Sequence, residues 1–205
     1  MDDKILKIVS SVKGFLDETE GRALYDIALA ASPRGPCLEI GSYCGKSSVY
    51  LGLACRKTGG VLFSIDHHRG SEEQQPGEEY FDPSLFDYDA FAVDTLGTFR
   101  QTLAASGLED TVIPVVSRSE TVSRNWSTPL SLVFIDGGHA LETVTADYHA
   151  WARHVRPGGY LLIHDIFKNP AEGGQAPYQV YRMALQSGDY APDPQVKTLG
   201  ILRKK

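Results

Sequence analysis

The sequence predicts an α/β fold in which helices cover both faces of a mostly parallel, doubly wound sheet. Two observations carry this. Five short apolar runs, at 37–40, 61–65, 112–116, 130–135 and 160–163, are each separated by helix-length segments, and that alternation belongs to the α/β class. The runs are apolar at successive positions, as parallel strands are when helices bury both their faces. The chain has 205 residues, 42% of them hydrophobic and 22% charged, which is ordinary globular composition and enough material for a core without staples.

Taken in order, residues 3–31 show helical periodicity twice, around Ile5, Ile8, Val9, Val12 and Phe15 and then around Ala23, Leu24, Ile27 and Ala28. Two leading helices follow from that spacing. The breaker Ser32-Pro33-Arg34-Gly35-Pro36 ends them, and the first apolar run begins at Cys37. Connecting helices fit at 47–57, 90–106, 141–154 and 178–187, and a final strand at 197–203 pairs at an edge. Residues 69–89 are rich in Glu, Gln, Pro, Asp, Tyr and Phe and have no clear period. A structureless stretch of that length in a compact domain reads as a lid or substrate loop, with a surface insertion as the alternative. The expected organisation is one domain over residues 1–205, with 1–32 as a helical cap.

A net charge of −6 argues against a nucleic-acid partner, because phosphate recognition draws on clustered Lys and Arg and the only basic run is Arg203-Lys204-Lys205. Three cysteines, Cys37, Cys44 and Cys55, are odd in number and lack CxxC spacing, so a reducing, cytoplasmic location is expected. No basic segment followed by an apolar run opens the chain and no eighteen consecutive residues are apolar, which predicts neither a signal peptide nor a membrane partner. The apolar stripe Ile5, Ile8, Val9, Val12 and Phe15 either forms a homodimer contact or covers the sheet.

In an open parallel sheet ligands sit beyond the carboxyl ends of the strands. The first run leads into Glu39-Ile40-Gly41-Ser42-Tyr43-Cys44-Gly45-Lys46-Ser47-Ser48. Its glycines permit a sharp turn and close backbone approach to a ligand, and Ser47 and Ser48 suit a helix N-cap. Gly41 and Gly45 are separated by three residues, so this is not the phosphate loop, and GxGxxG is absent too. The second run ends at Asp66, placed either to accept hydrogen bonds from a ribose diol or to cap a helix.

Together with that loop, Ile135-Asp136-Gly137-Gly138-His139 and Arg156-Pro157-Gly158-Gly159 before a run ending His164-Asp165 resemble the class I S-adenosylmethionine-dependent methyltransferases. Within them the combination looks most like the small-molecule O-methyltransferase group that includes cephalosporin-hydroxylase-like and macrolide O-methyltransferase-like proteins. The resemblance implies a Rossmann-like, mostly parallel seven-stranded sheet with helices on both faces, an antiparallel edge strand and two leading helices. It implies S-adenosylmethionine as cofactor, with Glu39, Gly41, Ser42 and Gly45 lining the methionine moiety, Ser47 capping the helix, Asp66 on the ribose with His67 beside it, and Ser117 and Ser119 along the adenine. Asp136 belongs to this set too. Trp126 is either a stacking partner or a core aromatic.

In such relatives acids at the ends of the fourth and fifth strands hold a divalent cation, which maps onto Asp136, His164 and Asp165. The relatives carry two acids, or Asp then Asn, where this chain has His-Asp. Carboxylates and waters suit Mg²⁺, whereas imidazole ligands favour Mn²⁺, Fe²⁺ or Zn²⁺. A cation chelated by the acceptor lowers the pKa of the attacking hydroxyl. Alternatively these residues cap loops and touch the cofactor. His139, with an ordinary imidazole pKa, and Asp136 are the candidate catalytic residues. His149 and His154 read as surface groups. Tyr80, Phe81, Phe86, Tyr88 and Tyr25 either close over substrate or pack, and Arg69 meets a substrate carboxylate or pairs with Glu72 or Glu73.

The leading expectation is methyl transfer to a hydroxyl oxygen of a small-molecule acceptor. The Asn/Asp-Pro-Pro-Tyr/Phe/Trp pattern of amine methylation in nucleic acid is absent. Two other readings stand beside it: a metal-dependent hydroxylation or rearrangement using the same pocket, and a binding protein without catalysis, since a fold does not prove chemistry.

Overall fold

The computed structural model describes residues 3–205, with side chains from Lys7 onward. Its elements are α1 (Asp3–Ser11), α2 (Glu18–Ala31), β1 (Cys37–Ile40), α3 (Lys46–Thr58), β2 (Leu62–Asp66), β3 (Phe86–Asp87), β4 (Ala92–Val93), α4 (Leu96–Ser106), β5 (Val112–Val116), α5 (Ser119–Ser123), β6 (Leu130–Ile135), α6 (Leu141–Trp151), β7 (Val155–Ile163), α7 (Ala176–Gln186), β8 (Tyr190–Val196) and β9 (Leu199–Lys204). Seven strands form one sheet in the order β5-β2-β1-β6-β7-β9-β8, while β3 and β4 make a small separate hairpin.

The first five strands of that order run parallel, and β9 pairs antiparallel with both β7 and β8. β1 and β6 are buried at every position. Their side chains alternate between two cores, as the two-residue period of a strand requires. Cys37, Leu132 and Phe134 pack with Leu24, Tyr50 and Phe99 from α2, α3 and α4. Leu38, Val133 and Ile135 pack with Val144, Trp151 and Val180 from α6 and α7.

The start of α2 is set locally. The Asp17 side chain accepts the Thr19 N–H at 2.7 Å, and Glu20 reaches back to the Asp17 N–H at 3.4 Å, a capping box. α2 lies on α3 across Gly21, where a Cβ would fall 2.2 Å from the Tyr50 ring.

Several expectations change. α3 starts at Lys46 with Gly45, at φ +94°, as its N-cap; Ser47 is therefore inside the first turn and buried, not the cap. The helix expected over 90–106 begins only at Leu96, because the residues before it close the β3–β4 hairpin. The loop 69–89 is not structureless: it holds single 3₁₀ turns at Glu72–Gln74 and Pro83–Leu85. The last strand is not outermost, since β9 sits between β7 and β8. β8 carries Pro192 and Pro194, and proline lacks the N–H a central strand must donate, so this sequence suits an edge and hides the strand from an apolar-run criterion.

Part of the N-terminal stripe is engaged within the chain, while Phe15 stays 64% exposed. Val9 is buried in the α2–α3 core, and Val12 packs on Cys44, Leu85 and Val93. Phe15 stacks on Tyr43. The Ile5 side chain lies outside the described residues.

Candidate active site

Strand order reverses at β1, which has β2 on one side and β6 on the other. Loops leaving neighbouring strands diverge there and open a crevice. A cleft of about 990 Å³ occupies this position, at the upper end of the range for small-molecule sites. Its walls come from the loops after β1, β2, β5, β6 and β7, and segment 69–80 closes one side.

The β1–α3 turn forms the floor. Gly41 has φ +84°, and a Cβ there would lie 2.2 Å from the Asp136 carbonyl oxygen, so only glycine fits. Asp66 ties the turn down: its carboxylate accepts the Ser42 and Tyr43 N–H groups at 3.0 and 2.8 Å and the His68 N–H at 2.7 Å. These bonds hold Tyr43 and His68 in left-handed backbone. Ser42 is buried against the cleft and its hydroxyl has no partner.

Glu39 and Gly45 stand behind the turn rather than on the cleft wall. Glu39 is fully buried. Its Oε2 accepts the Ser48 and Ser64 hydroxyls, while Oε1 is unpartnered. Burial pushes this carboxyl up to about 7, against the pull of the surrounding serine hydroxyls.

His67 is exposed on the cleft and accepts the Arg69 N–H at 3.0 Å. Ser117 and Ser119 line the far end, with the Ser119 hydroxyl donating to Asp147. Asp147 was not anticipated. It is 3% exposed, and burial raises it to about 6 despite the Ser119 hydroxyl. The available signal was a carboxylate within the apolar stripe Val144, Tyr148 and Trp151 of one helix.

The opposite end gathers the charged groups that follow β6 and β7. His139 Nε2 is 2.9 Å from Asp165 Oδ2, and its Nδ1 is 3.0 Å from Glu73 Oε2. His164 Nδ1 lies 3.0 Å from Asp136 Oδ1 and 3.3 Å from Asp165 Oδ2, and its Nε2 lies 3.1 Å from Glu20 Oε2. The hydrogen bond to Asp165, more than the burial that opposes it, raises His139 to about 9. Burial also opposes charge on His164, but Asp136, Asp165 and Glu20 together hold its pKa far above an ordinary imidazole. Burial would lift Asp165, yet the two histidines keep it well below the usual carboxylate range.

Asp136, His139 and Asp165 each offer a donor atom within 4.8 Å of the others. The histidine in that set is His139. His164, the position the family pattern pointed to, has carboxylates at both nitrogens, as His139 has, and lies outside that set. His139 was expected as an unperturbed base, whereas the structure places it between two carboxylates that favour the protonated ring.

Of the loop aromatics only Tyr80 lines the cleft, 5.0 Å from Phe15. Phe81, Phe86 and Tyr88 pack on one another, and Tyr25 joins the core. Trp126 is a core aromatic, edge-on to Phe63 and Trp151. Arg69 pairs with Asp94 at 3.3 Å, not with Glu72 or Glu73. His149 is exposed and His154 half-buried, both away from the cleft.

A family model described as a methyltransferase domain matches residues 38–166. Among solved structures the chain is similar to an O-methyltransferase from Bacillus cereus in complex with SAH, at 14% identity and TM-score 0.67, covering 100% of this chain and 92% of that one. It is also similar to the O-methyltransferase TomG from Streptomyces achromogenes, involved in tomaymycin synthesis and in complex with SAM, at 17% identity and TM-score 0.65, covering 99% and 88%. An SAH-bound methyltransferase from Podospora anserina matches at 13% identity and TM-score 0.69, covering 100% and 89%. These likenesses concern the fold.

Proposed function

This chain belongs to the methyltransferase-domain family, and we propose that it transfers the methyl group of S-adenosylmethionine to a hydroxyl oxygen of a small-molecule acceptor. The observation that carries the reading is the presence, in one cleft, of a glycine-floored turn at Gly41 and the Asp136, His139 and Asp165 group. The turn fits the cofactor: Gly41 lets the backbone approach a ligand, and Ser42 offers a buried hydroxyl without a partner. Asp66 and His67 stand for the ribose, Ser117, Ser119 and Asp147 for the adenine, Ser47 lines the cleft at the start of α3, and Glu39 and Gly45 support the turn from behind.

When bound, S-adenosylmethionine supplies a sulfonium-activated methyl group for in-line attack by the acceptor oxygen. The cleft would orient that oxygen beside the methyl group, which converts an encounter into an intramolecular step. The hydroxyl proton leaves toward the acidic end. Asp136 is the acceptor of that proton, and His139, raised to about 9 by its hydrogen bond to Asp165, stays protonated at neutral pH while no metal occupies its Nε2.

A divalent cation fits the Asp136, Asp165 and His139 Nε2 donor set. Glu73 receives the other ring N–H of His139, the arrangement that turns an imidazole lone pair toward a metal. One imidazole among carboxylates suits Mn²⁺, Fe²⁺ or Zn²⁺ better than Mg²⁺. Bound there, it would lower the pKa of the acceptor hydroxyl.

Cytoplasmic residence is consistent with three free, buried cysteines. No helix of the described residues is long and apolar enough to cross a membrane.

The test is calorimetric titration of metal-stripped protein with S-adenosylmethionine and S-adenosylhomocysteine, each repeated with Mg²⁺, Mn²⁺ and Zn²⁺. Binding of both nucleosides is expected, with a separate metal heat that Asp136→Ala and Asp165→Ala abolish. Failure to bind either nucleoside overturns the reading. Nucleoside binding without metal heat leaves methyl transfer standing on Asp136 alone.

A further inference from the structure

We propose that Glu20, on α2 and outside the cleft wall, is a positioning residue for the acidic end of the site and acts through His164. The inference rests on the proposed role of Asp136, His139 and Asp165. Glu20 stands 144 positions before His164 in the chain, and nothing in its local sequence beyond a capping box marks it.

Glu20 is 3% exposed, and both its oxygens are engaged. Oε1 accepts the Thr198 N–H at 2.8 Å and the Thr198 hydroxyl at 2.7 Å. Oε2 receives the Asp17 N–H at 3.4 Å and faces His164 Nε2 at 3.1 Å. A buried carboxylate this fully bonded stays ionised and aims its charge in one direction.

The His164 ring therefore meets a carboxylate at each nitrogen, and a ring in that position donates from both. Its Nδ1 side reaches Asp136 and Asp165. Held at Nε2 by Glu20, the ring cannot turn, and its Nδ1 stays aimed between Asp136 and Asp165. Asp165 is in left-handed backbone at φ +56°, a conformation that surrounding contacts must sustain. A role confined to anchoring α2 needs the Asp17 and Thr198 bonds but not the one to His164.

The experiment reads the ring directly, by ¹H–¹⁵N NMR tuned to imidazole signals. The unsubstituted protein should show two protected N–H resonances for His164. In Glu20→Gln the Nδ1–H resonance, on the far side of the ring toward Asp136, should shift or vanish. Glu20→Asp, which withdraws the carboxylate from the ring while keeping its charge, should do the same. Thr198→Val removes one of the two bonds on Oε1 and keeps the Oε2 contact with His164, so both ring signals should stay in place while thermal stability falls. An unmoved Nδ1–H in both Glu20 variants overturns the proposal.

A second readout is Mn²⁺ uptake in the presence of S-adenosylhomocysteine. It should fall about tenfold in Glu20→Gln and in His164→Asn, as loss of groups orienting metal ligands does, with no further loss in the double variant. Additive losses would mean that Glu20 acts independently of His164. If the unsubstituted protein takes up no Mn²⁺, the metal part of the proposed function fails, and the ring signals alone decide the positioning role.

Discussion

Glu39 shows what one buried group does to the whole. Its folded-state pKa of about 7 lies above the ordinary 4.5 because burial disfavours the carboxylate. Below about pH 4.5 both folded and unfolded chains hold this proton, and its contribution to stability is fully present. As pH rises the unfolded chain ionises first, so stability falls until the folded group also ionises near pH 7. The span corresponds to about 3 kcal/mol. Urea unfolding between pH 5 and 8 should show that decline, and Glu39→Gln should make it shallower, the remainder coming from Asp147 and His139. At Gly41 the limit is steric: a Cβ would overlap the Asp136 carbonyl, and φ +84° disfavours any side chain. Gly41→Ala should cost at least about 1–2 kcal/mol and abolish binding of S-adenosylhomocysteine by calorimetry. Both residues were legible as part of a ligand turn, because a glycine-punctuated strand end is a local pattern. Asp147 and Glu20 were not, since each reads as an ordinary helix carboxylate until its neighbours are known.

Among elements, segment 69–94 differs most from its sequence reading. Composition indicated a loop, yet hydrogen bonds from Gln75 to the Arg69, Gly70 and Ser71 carbonyls and the β3–β4 hairpin give it a fixed path along the cleft. Lys13, just after α1, pins its middle through Asp82 and Ser84. That pair is exposed, and such pairs contribute at most about 1 kcal/mol. Lys13→Ala should therefore leave the thermal midpoint nearly unchanged. It should still speed cleavage by a glutamate-specific protease at Glu72, Glu73, Glu78 or Glu79, because local opening needs less energy than global unfolding. Unaltered cleavage would show that the hairpin alone holds the segment. The edge strand β8 escaped notice for a related reason: its prolines follow the needs of an edge, whereas apolar-run reading finds strands buried on both faces.

At the scale of the molecule, α2 couples the N-terminal segment to the site. It docks through Gly21 against the Tyr50 ring, a contact that offsets the roughly 1 kcal/mol a helical glycine costs. Gly21→Val should lower the unfolding free energy read from denaturant titration by at least the roughly 1–3 kcal/mol typical of overpacking, and it should also disturb the His164 ring signals, because Glu20 moves with the helix. The sequence by itself determined the α/β class, the five parallel strands, the glycine turn and the acids at strand ends. All of these follow from burial and backbone conformation, which are written in neighbouring residues. Only the tertiary structure decided which acids and imidazoles meet. Strand order and register place Ile40 beside Ile135 and Ile135 beside Ile163, bringing the β6 and β7 loops together, and packing of α2 then adds Glu20. Such pairings depend on distance in space, and no local period encodes them.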